Sequence, residues 1–509
     1  MEPIASPRNE PSKSLYYVLL AFVAIALVLP FWLTEFNPLV DYPFHLARAW
    51  ALNLYQQDAF FQAQFVRVTD PMPNLAVDLL VPPLMWFLPP LIAGKLFLSL
   101  IILLFVWGCH ELAKTSLGDV SWMAPLAAFF AYNSPLLWGF VNSSLSLSLF
   151  LLTFAFWLRF QTQWTVLRFL AVCMLSTATY IAHLSGFVFL GLAIACGFAI
   201  RWVNTRRLQW TAVTGFLVLV PGVLLQLYPW QNKVRLGTSV VWSTVAQKAI
   251  SLGSVFIGYR YRIDLLAFIP LVIGLVIVVR CGKWKINPVL FTIGTLFLVA
   301  ALAFPKQLTA GGGSAADARF VPPACALLLL SFAVSLKSKV ARVGYCLALL
   351  GLGLRIAEIS WTWRVQSLRC SRMVAILRIV EPHSRIYTLF QLPDDLGARK
   401  LELGNFHAAS YSLILNRSVS SDFYAVQGVQ PLYYRSESAA RICDNPVVKL
   451  KDLGRDLEGF DYVFGCNLDP QHIAYLSGRA SQIAARDTCT LWRFQPTVPT
   501  PMHTDATKP

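Results

Sequence analysis

The densest chemistry in the chain follows its first apolar run, in the stretch Asn37-Pro38-Leu39-Val40-Asp41-Tyr42-Pro43-Phe44-His45-Leu46-Ala47-Arg48. Asp41, His45 and Arg48 stand at i, i+4 and i+7, which places them on one face of a helix. A carboxylate there can act as a general base or hold a metal ion, and the imidazole and guanidinium can orient it or bind a phosphate. A plainer alternative is structural. Asp41 is a good N-cap, Pro43 is tolerated in a first helical turn, and His45 and Arg48 can face lipid headgroups.

Three further stretches offer polar groups beside apolar runs. In Gly139-Phe140-Val141-Asn142-Ser143-Ser144 the amide of Asn142 can hydrogen-bond a sugar, or simply cap a helix between two spans; it is a poor ligand for a divalent cation. Pro305 to Phe320 contains Gly311, Gly312 and Gly313, whose backbone amides can approach a phosphate. Arg319 closes that loop at the mouth of the next span, where it can grip a lipid phosphate bidentately, with Lys306 as a weaker second cation. Alternatively Arg319 snorkels at the interface, paired with Asp317. His183 ends another span beside Ser185 and Gly186, and an ionisable group at that depth is a candidate for function.

The 229–262 loop mixes Lys233, Arg235, Lys248, Arg260 and Arg262 with Trp230 and Trp242, as a phosphate contact or an interfacial belt would. In the C-terminal part no nucleophile–base pair or metal-ligand spacing stands out, and Asp394 and Asp395 read as a turn or cap.

These residues need a membrane scaffold. The chain is 56% hydrophobic and 13% charged, with mean hydropathy +0.58, against about 25% charged residues in ordinary soluble domains. Its net charge of +16 does not mark a nucleic-acid binder, because the basic residues are not gathered in one patch. They fall in acid-free clusters between apolar runs: Arg201, Arg206 and Arg207; Arg280, Lys283 and Lys285; Lys337, Lys339 and Arg342. That is the positive-inside pattern. Among the ten cysteines there is no CxxC. Cys370, Cys443, Cys466 and Cys489 lie in the C-terminal part, where a disulfide can form but its pairing cannot be read from sequence.

After a polar tail at 1–14, eleven spans are expected at 15–33, 93–112, 121–138, 143–159, 166–182, 186–202, 209–228, 263–280, 287–304, 320–336 and 341–358. With the N-terminus inside, the three basic clusters are cytoplasmic, and the loops 34–92, 229–262 and 305–319 lie outside. Residues 76–91 carry two Pro-Pro pairs and an Asp, so they read as an interfacial or re-entrant element. Beyond a membrane domain spanning 15–360, residues 361–495 read as a periplasmic α/β domain with strand-like runs at Arg385–Phe390, Asp461–Phe464 and Thr488–Phe494. The tail 496–509 is Pro/Thr-rich and expected to be disordered. The expected fold class is therefore an α-helical polytopic membrane protein of about eleven transmembrane helices with a small C-terminal α/β extracytoplasmic domain.

A first helix, a long outside loop opening with an acidic residue, many further spans and a C-terminal α/β domain together resemble the GT-C superfamily of membrane glycosyltransferases. The resemblance implies that Asp41 is the catalytic carboxylate, activating an acceptor, and that Arg319 meets a polyprenyl-phosphate donor. GT-C enzymes with a second acid carry it in the next outside loop. Asn142 there implies a metal-independent branch, so no cofactor and no metal ligand are expected.

The expected activity is inverting transfer of a sugar from a polyprenyl-phosphate-linked donor to a glycan, lipid or protein acceptor at the periplasmic face of a cell inner membrane. His45, Arg48, Asn142, His183, Lys306, Asp317 and Arg319 are the candidate binding residues. The partners are the donor and the bilayer, with no nucleic acid. The alternatives are a transporter or lipid flippase, which calls for mid-membrane ionisable groups and repeated halves, and a non-catalytic cell-envelope assembly protein.

Overall fold

A computed structural model of the chain describes residues 11–206, 210–228, 240–256, 258–308, 315–390, 404–425, 427–428, 430–435, 457 and 459–494. Six helices are long and apolar enough to cross a bilayer: Lys13–Trp32, Pro90–Leu117, Val141–Phe160, Leu184–Thr205, Arg262–Cys281 and Lys339–Leu377. Val166–Ala182, Pro288–Ala303 and Ala318–Leu330 are shorter apolar helices beside them. The chain is thus a multi-pass helical membrane protein. The first helix presents Phe22, Ile25 and Leu29 outward, and its other face buries Tyr16, Val23, Leu27 and Phe31. Lipid rewards both faces, because hydrocarbon surrounds the bundle.

The expectation of eleven continuous spans is corrected at three places. Residues expected to span at 121–138 form only short pieces, Met123–Ala127, Ala128–Ala131 and Ser134–Leu137, almost wholly buried. Pro125 and Pro135 cannot donate to a helical ladder, and the Asn133 side chain takes over, bonding the Phe130 carbonyl at 2.9 Å and the Leu136 amide at 3.1 Å. The 209–228 run divides into Trp210–Leu217 and Val220–Leu227, with Pro221 in the first turn of the second helix. The 320–336 run stops as helix at Leu330, and Phe332–Val334 then pairs antiparallel with Trp284–Ile286. By contrast, 76–91 holds one short helix, Ala76–Leu84, before the long helix Pro90–Leu117 begins. The short helix is about 13 Å long, less than half the hydrocarbon thickness.

Helices pack closely where side chains are small. A methyl on Gly274 would strike the Gly344 carbonyl, and one on Gly351 would strike that of Ala267, which lets Tyr261–Cys281 lie against Lys339–Leu377. Lys339–Leu377 has 39 residues and so runs about 58 Å, nearly twice the hydrocarbon thickness of about 30 Å. It carries through residue 360, the expected domain boundary, and delivers the chain to the C-terminal sheet.

That sheet has five strands in the order Val419–Ser420, Arg385–Phe390, Tyr462–Cys466, Cys489–Phe494 and Ala480–Arg486. The first three are mutually parallel and the last two join antiparallel. Cys466 and Cys489, cross-strand partners, form a disulfide, while Cys370 is a buried free thiol in the long helix. Cys443 lies outside the described residues. The first loop belongs to the same assembly. Phe65–Arg67 pairs antiparallel with Leu432–Tyr434, and Phe44, Ala47 and Ala51 of the helix Tyr42–Leu54 pack with Leu413, Val419 and Phe423. This joining brings groups from both ends of the chain together.

Candidate active site

Asp41 occupies the N-cap position of Tyr42–Leu54, yet its backbone is already helical and its side chain makes no capping bond. What holds the residue is main chain. The Asp41 amide donates to the Trp138 carbonyl at 3.0 Å, and that of Val40 to Leu137 at 3.3 Å. Gly139 lies directly against this turn with φ +84°, and a Cβ there would fall 2.6 Å from the Asp41 nitrogen. Glycine is required for conformation and for space. The carboxylate is therefore fixed from behind and free in front.

Two side chains face it. His407, from the C-terminal domain, places Nε2 3.7 Å from Asp41 Oδ1, and its Nδ1 lies 3.9 Å from Oδ2 of buried Asp422. Arg319 is close enough that its charge opposes the effect of burial on Asp41. Burial raises the Asp41 carboxyl to about 7, with the guanidinium pulling the other way. Reciprocally, burial lowers Arg319 to about 10 and Asp41 supports its charge.

Arg319 lies over the Phe140 ring, Cζ 4.7 Å from the centroid, and its Nη1 is 2.8 Å from His183 Nε2. Its buried Nε has no hydrogen-bond partner among the described residues. With Ser143, Ser144, Asn133 and Phe189 it lines a small cavity; Asp41 is not among the lining residues. The expected alternative, Arg319 paired with Asp317, is not what forms. Asp317 is buried and accepts from Lys248 Nζ at 2.8 Å and Ser243 Oγ at 2.9 Å. Lys248 also donates to the carbonyls of Ala301 and Phe304, so it pins the loop rather than facing a ligand. With Asp317 taken by Lys248, Arg319 has among the described residues the neutral His183, Phe140 and the field of Asp41.

His183 sits between two helices with Nδ1 2.9 Å from Ser185 Oγ, and Ser185 Oγ is 3.1 Å from Ser143 Oγ. Burial, and then the charge of Arg319, hold its imidazole well below the usual histidine range. It is a neutral polar wall for Arg319.

Other candidates are committed elsewhere. Arg48 is fully buried, and its Nε and Nη2 close on the Asp78 carboxylate at 2.7 and 3.0 Å, with Nη2 also 3.0 Å from His45 Nδ1. The expectation that Arg48 faces a phosphate or lipid headgroups is corrected by this buried pair. The Asn142 amide is likewise engaged within the protein. Its Nδ2 donates to the Asn74 carbonyl at 2.7 Å and its Oδ1 accepts from the Val77 amide at 2.9 Å, capping Ala76–Leu84 from below. Lys306 is exposed, and its amide bonds Val241 at 2.9 Å. Lys233, Arg235, Trp230, Gly311 to Gly313, Asp394, Asp395 and the 496–509 tail lie outside the described residues.

His407, Asp422 and Asp78 are the site residues that spacing did not reveal. Asp78 is visible only as an acid among prolines, and His407 is remote in sequence from everything it touches. Among the described residues no group of three or more His, Cys, Asp or Glu is placed to hold a metal ion.

With this architecture in view, the chain is similar in fold to a solved arabinofuranosyltransferase over nearly its whole length. The cryo-EM structure of the arabinofuranosyltransferase AftD from Mycobacteria matches 96% of this chain and 40% of its own, at 12% identity and TM-score 0.51. Crystal structures of ArnT from Cupriavidus metallidurans match with lower TM-scores. The apo form gives 0.44 at 15% identity, covering 94% of this chain and 98% of that one. The form bound to undecaprenyl phosphate gives 0.41 at 13% identity, covering 96% and 99%. No protein-family model matches the chain, and no curated protein matches it by sequence.

Proposed function

We propose that this protein transfers a sugar from a polyprenyl-phosphate-linked donor to an acceptor hydroxyl at the non-cytoplasmic face of a bacterial-type inner membrane. One observation carries the reading: a carboxylate held in place by main chain, with no cap to make, within the electrostatic reach of a buried guanidinium that forms no ion pair among the described residues. Asp41 removes the proton from the acceptor oxygen as that oxygen bonds to the sugar's anomeric carbon. The bond from that carbon to the phosphate oxygen breaks, and the departing lipid phosphate carries its charge to Arg319. A single displacement of this kind inverts the anomeric centre and calls for no nucleotide.

Orientation follows from the basic clusters, which put the N-terminus inside and the first loop and C-terminal sheet outside. The flippase alternative gains little. The buried ion pairs of Arg355 with Asp264 and Glu358 lie near a membrane boundary, since Asp264 stands in the first turn of its helix.

The test is turnover by the purified chain in lipid nanodiscs supplied with labelled polyprenyl-phosphate pentoses and hexoses and read as released polyprenyl phosphate. Asp41→Asn should lower it by about 10²-fold or more, the usual scale for a general base. Equal turnover by both proteins would remove Asp41 as the base, and no release by the wild type from any of these donors would end the enzyme reading.

A further inference from the structure

Asp422 Oδ1 accepts from Ser420 Oγ and from Ser410 Oγ at 3.3 Å, while its buried Oδ2 has no hydrogen-bond partner among the described residues. His407 Nδ1 is also buried and also without one, and the two atoms face each other at 3.9 Å. On the far side of the ring Nε2 faces Asp41 Oδ1 at 3.7 Å. The edges of the ring are confined by Phe44, centroids 5.3 Å apart, and Phe406, 4.9 Å apart, both near perpendicular. Each contact stands less than about 1 Å outside hydrogen-bonding range, so both close when the two carboxyls draw in toward the ring.

We infer that His407 is a positioning residue for Asp41: its imidazole links the Asp41 and Asp422 carboxyls so that Asp422 stays a carboxylic acid, donating to Nδ1, while Nε2–H donates to the Asp41 carboxylate. The inference rests on the reading of Asp41 as the base. A buried carboxylate with one empty oxygen is costly, whereas a carboxylic acid aimed at an imidazole lone pair is satisfied. Nδ1 must then accept, and a neutral imidazole accepting at Nδ1 carries its proton on Nε2. The C-terminal domain thus fixes which oxygen of Asp41 is bound and which is left for the acceptor.

The surrounding charges favour this arrangement. Burial raises Asp422 to about 7, as it does Asp41, and lowers His407 to about 4, so the ring between the two carboxyls is neutral. Arg319 favours ionisation of Asp41 rather than Asp422. The other groups acting on the ring among the described residues are the Asp422 backbone, whose hydrogen bond favours the protonated ring without overcoming burial, and His45, kept neutral by burial and by Arg48. When Asp422 loses its proton to solvent at higher pH, the imidazole proton moves from Nε2 to Nδ1. A lone pair then turns toward Asp41.

The tautomer can be read without substrate, by ¹⁵N NMR of the full chain in nanodiscs with labelled histidine, the His407 signal among the seven histidines being assigned by its loss in His407→Gln. The wild type should hold Nε2–H in mildly acidic buffer and convert to Nδ1–H as pH rises. Asp422→Asn, whose amide donates to Nδ1 at every pH, should show no conversion. A wild-type tautomer indifferent to pH, or the same conversion in Asp422→Asn, overturns the inference. Turnover gives a second arm. His407→Phe should lower kcat about tenfold or more with KM unchanged, and His407→Gln, which keeps an N–H near Asp41, should recover most of it; equal losses in the two would also overturn it. Because the NMR arm needs no turnover, an active Asp41→Asn variant would sink the reading of Asp41 as the base while leaving the carboxyls either side of His407 to be judged on the tautomer.

Discussion

The guanidinium of Arg319 lies 4.7 Å from the centroid of the Phe140 ring, and Phe140 follows the glycine against which the Asp41 backbone is packed. A single turn thus touches both charged groups of the site. Leu137 and Trp138 bond the main chain at Val40 and Asp41, Gly139 leaves room for that approach, and Phe140 supports the cation. The separation of base and cation is set by this turn rather than by either side chain.

Gly139→Ala is therefore expected to damage the site beyond its effect on folding. The strained φ alone costs about 1 kcal/mol, and the added methyl must displace the Asp41 amide. Thermal unfolding should fall modestly, while turnover should drop at least about tenfold. Loss of stability with normal turnover per folded molecule would show that the turn does not position Asp41.

The pH dependence of turnover has a definite sign. Asp41 must be ionised to act as a base, and burial raises its carboxyl to about 7, so the rate should rise with pH through that value. Arg319 opposes the rise, since its charge stabilises the carboxylate. Removing that charge in Arg319→Ala should move the acid limb to higher pH at saturating donor. An unmoved limb would mean that the two groups are uncoupled during catalysis.

Asp41 and Arg319 were legible in sequence because their positions are local facts: an acid just past one apolar run and an arginine just before another. Asp78, His407 and Asp422 were not, because each acquires its role from a partner that only tertiary packing supplies. The same contrast holds for the helices. The prolines of 76–91 marked that run as too broken to span. The 121–138 run was read by hydropathy alone, which does not weigh Pro125, Pro135 or the carbonyl-seeking amide of Asn133. The strands Arg385–Phe390, Tyr462–Cys466 and Cys489–Phe494 showed in their apolar runs, whereas the edge strand Ala480–Arg486, mostly exposed and rich in Ala, Ser and Gln, gave no such signal.

The Cys466–Cys489 disulfide makes the orientation testable in whole cells. Such bonds persist in oxidising compartments and are rare in the cytosol. Peptides containing the two residues should be recovered joined when lysates are quenched without reductant. Recovery of both as alkylated free thiols would place the sheet on the reducing side, the wrong face for a polyprenyl-phosphate donor.

Arg48 and Asp78 should behave as a buried structural pair. Removing one partner in Asp78→Leu leaves an unpaired buried cation, which costs about 3–5 kcal/mol, whereas replacing both with apolar residues is often near neutral. Arg48→Met with Asp78→Leu should thus be more stable than Asp78→Leu alone, and its apparent KM for donor should be that of the wild type. A raised donor KM in the double variant would return Arg48 to the binding site.

Arg319 is where donor recognition should fail first. Among the described residues its buried Nε has no hydrogen-bond partner, Nη1 meets a neutral imidazole, and Asp317 is held by Lys248. Such a guanidinium is poised for a phosphate, which it can grip through two parallel N–H bonds. Arg319→Lys keeps the charge but loses the planar fork and the stacking on Phe140, so undecaprenyl phosphate binding in nanodiscs should weaken only in part. Arg319→Ala should weaken it by about tenfold or more, the loss of one charge-assisted contact of about 1.5–3 kcal/mol, with acceptor KM unaltered. Lys248→Met should weaken binding by a different route, since it frees Asp317 to compete for Arg319, and the weakening should largely disappear in Lys248→Met combined with Asp317→Asn. Wild-type binding by Arg319→Ala would move the donor phosphate away from this loop altogether.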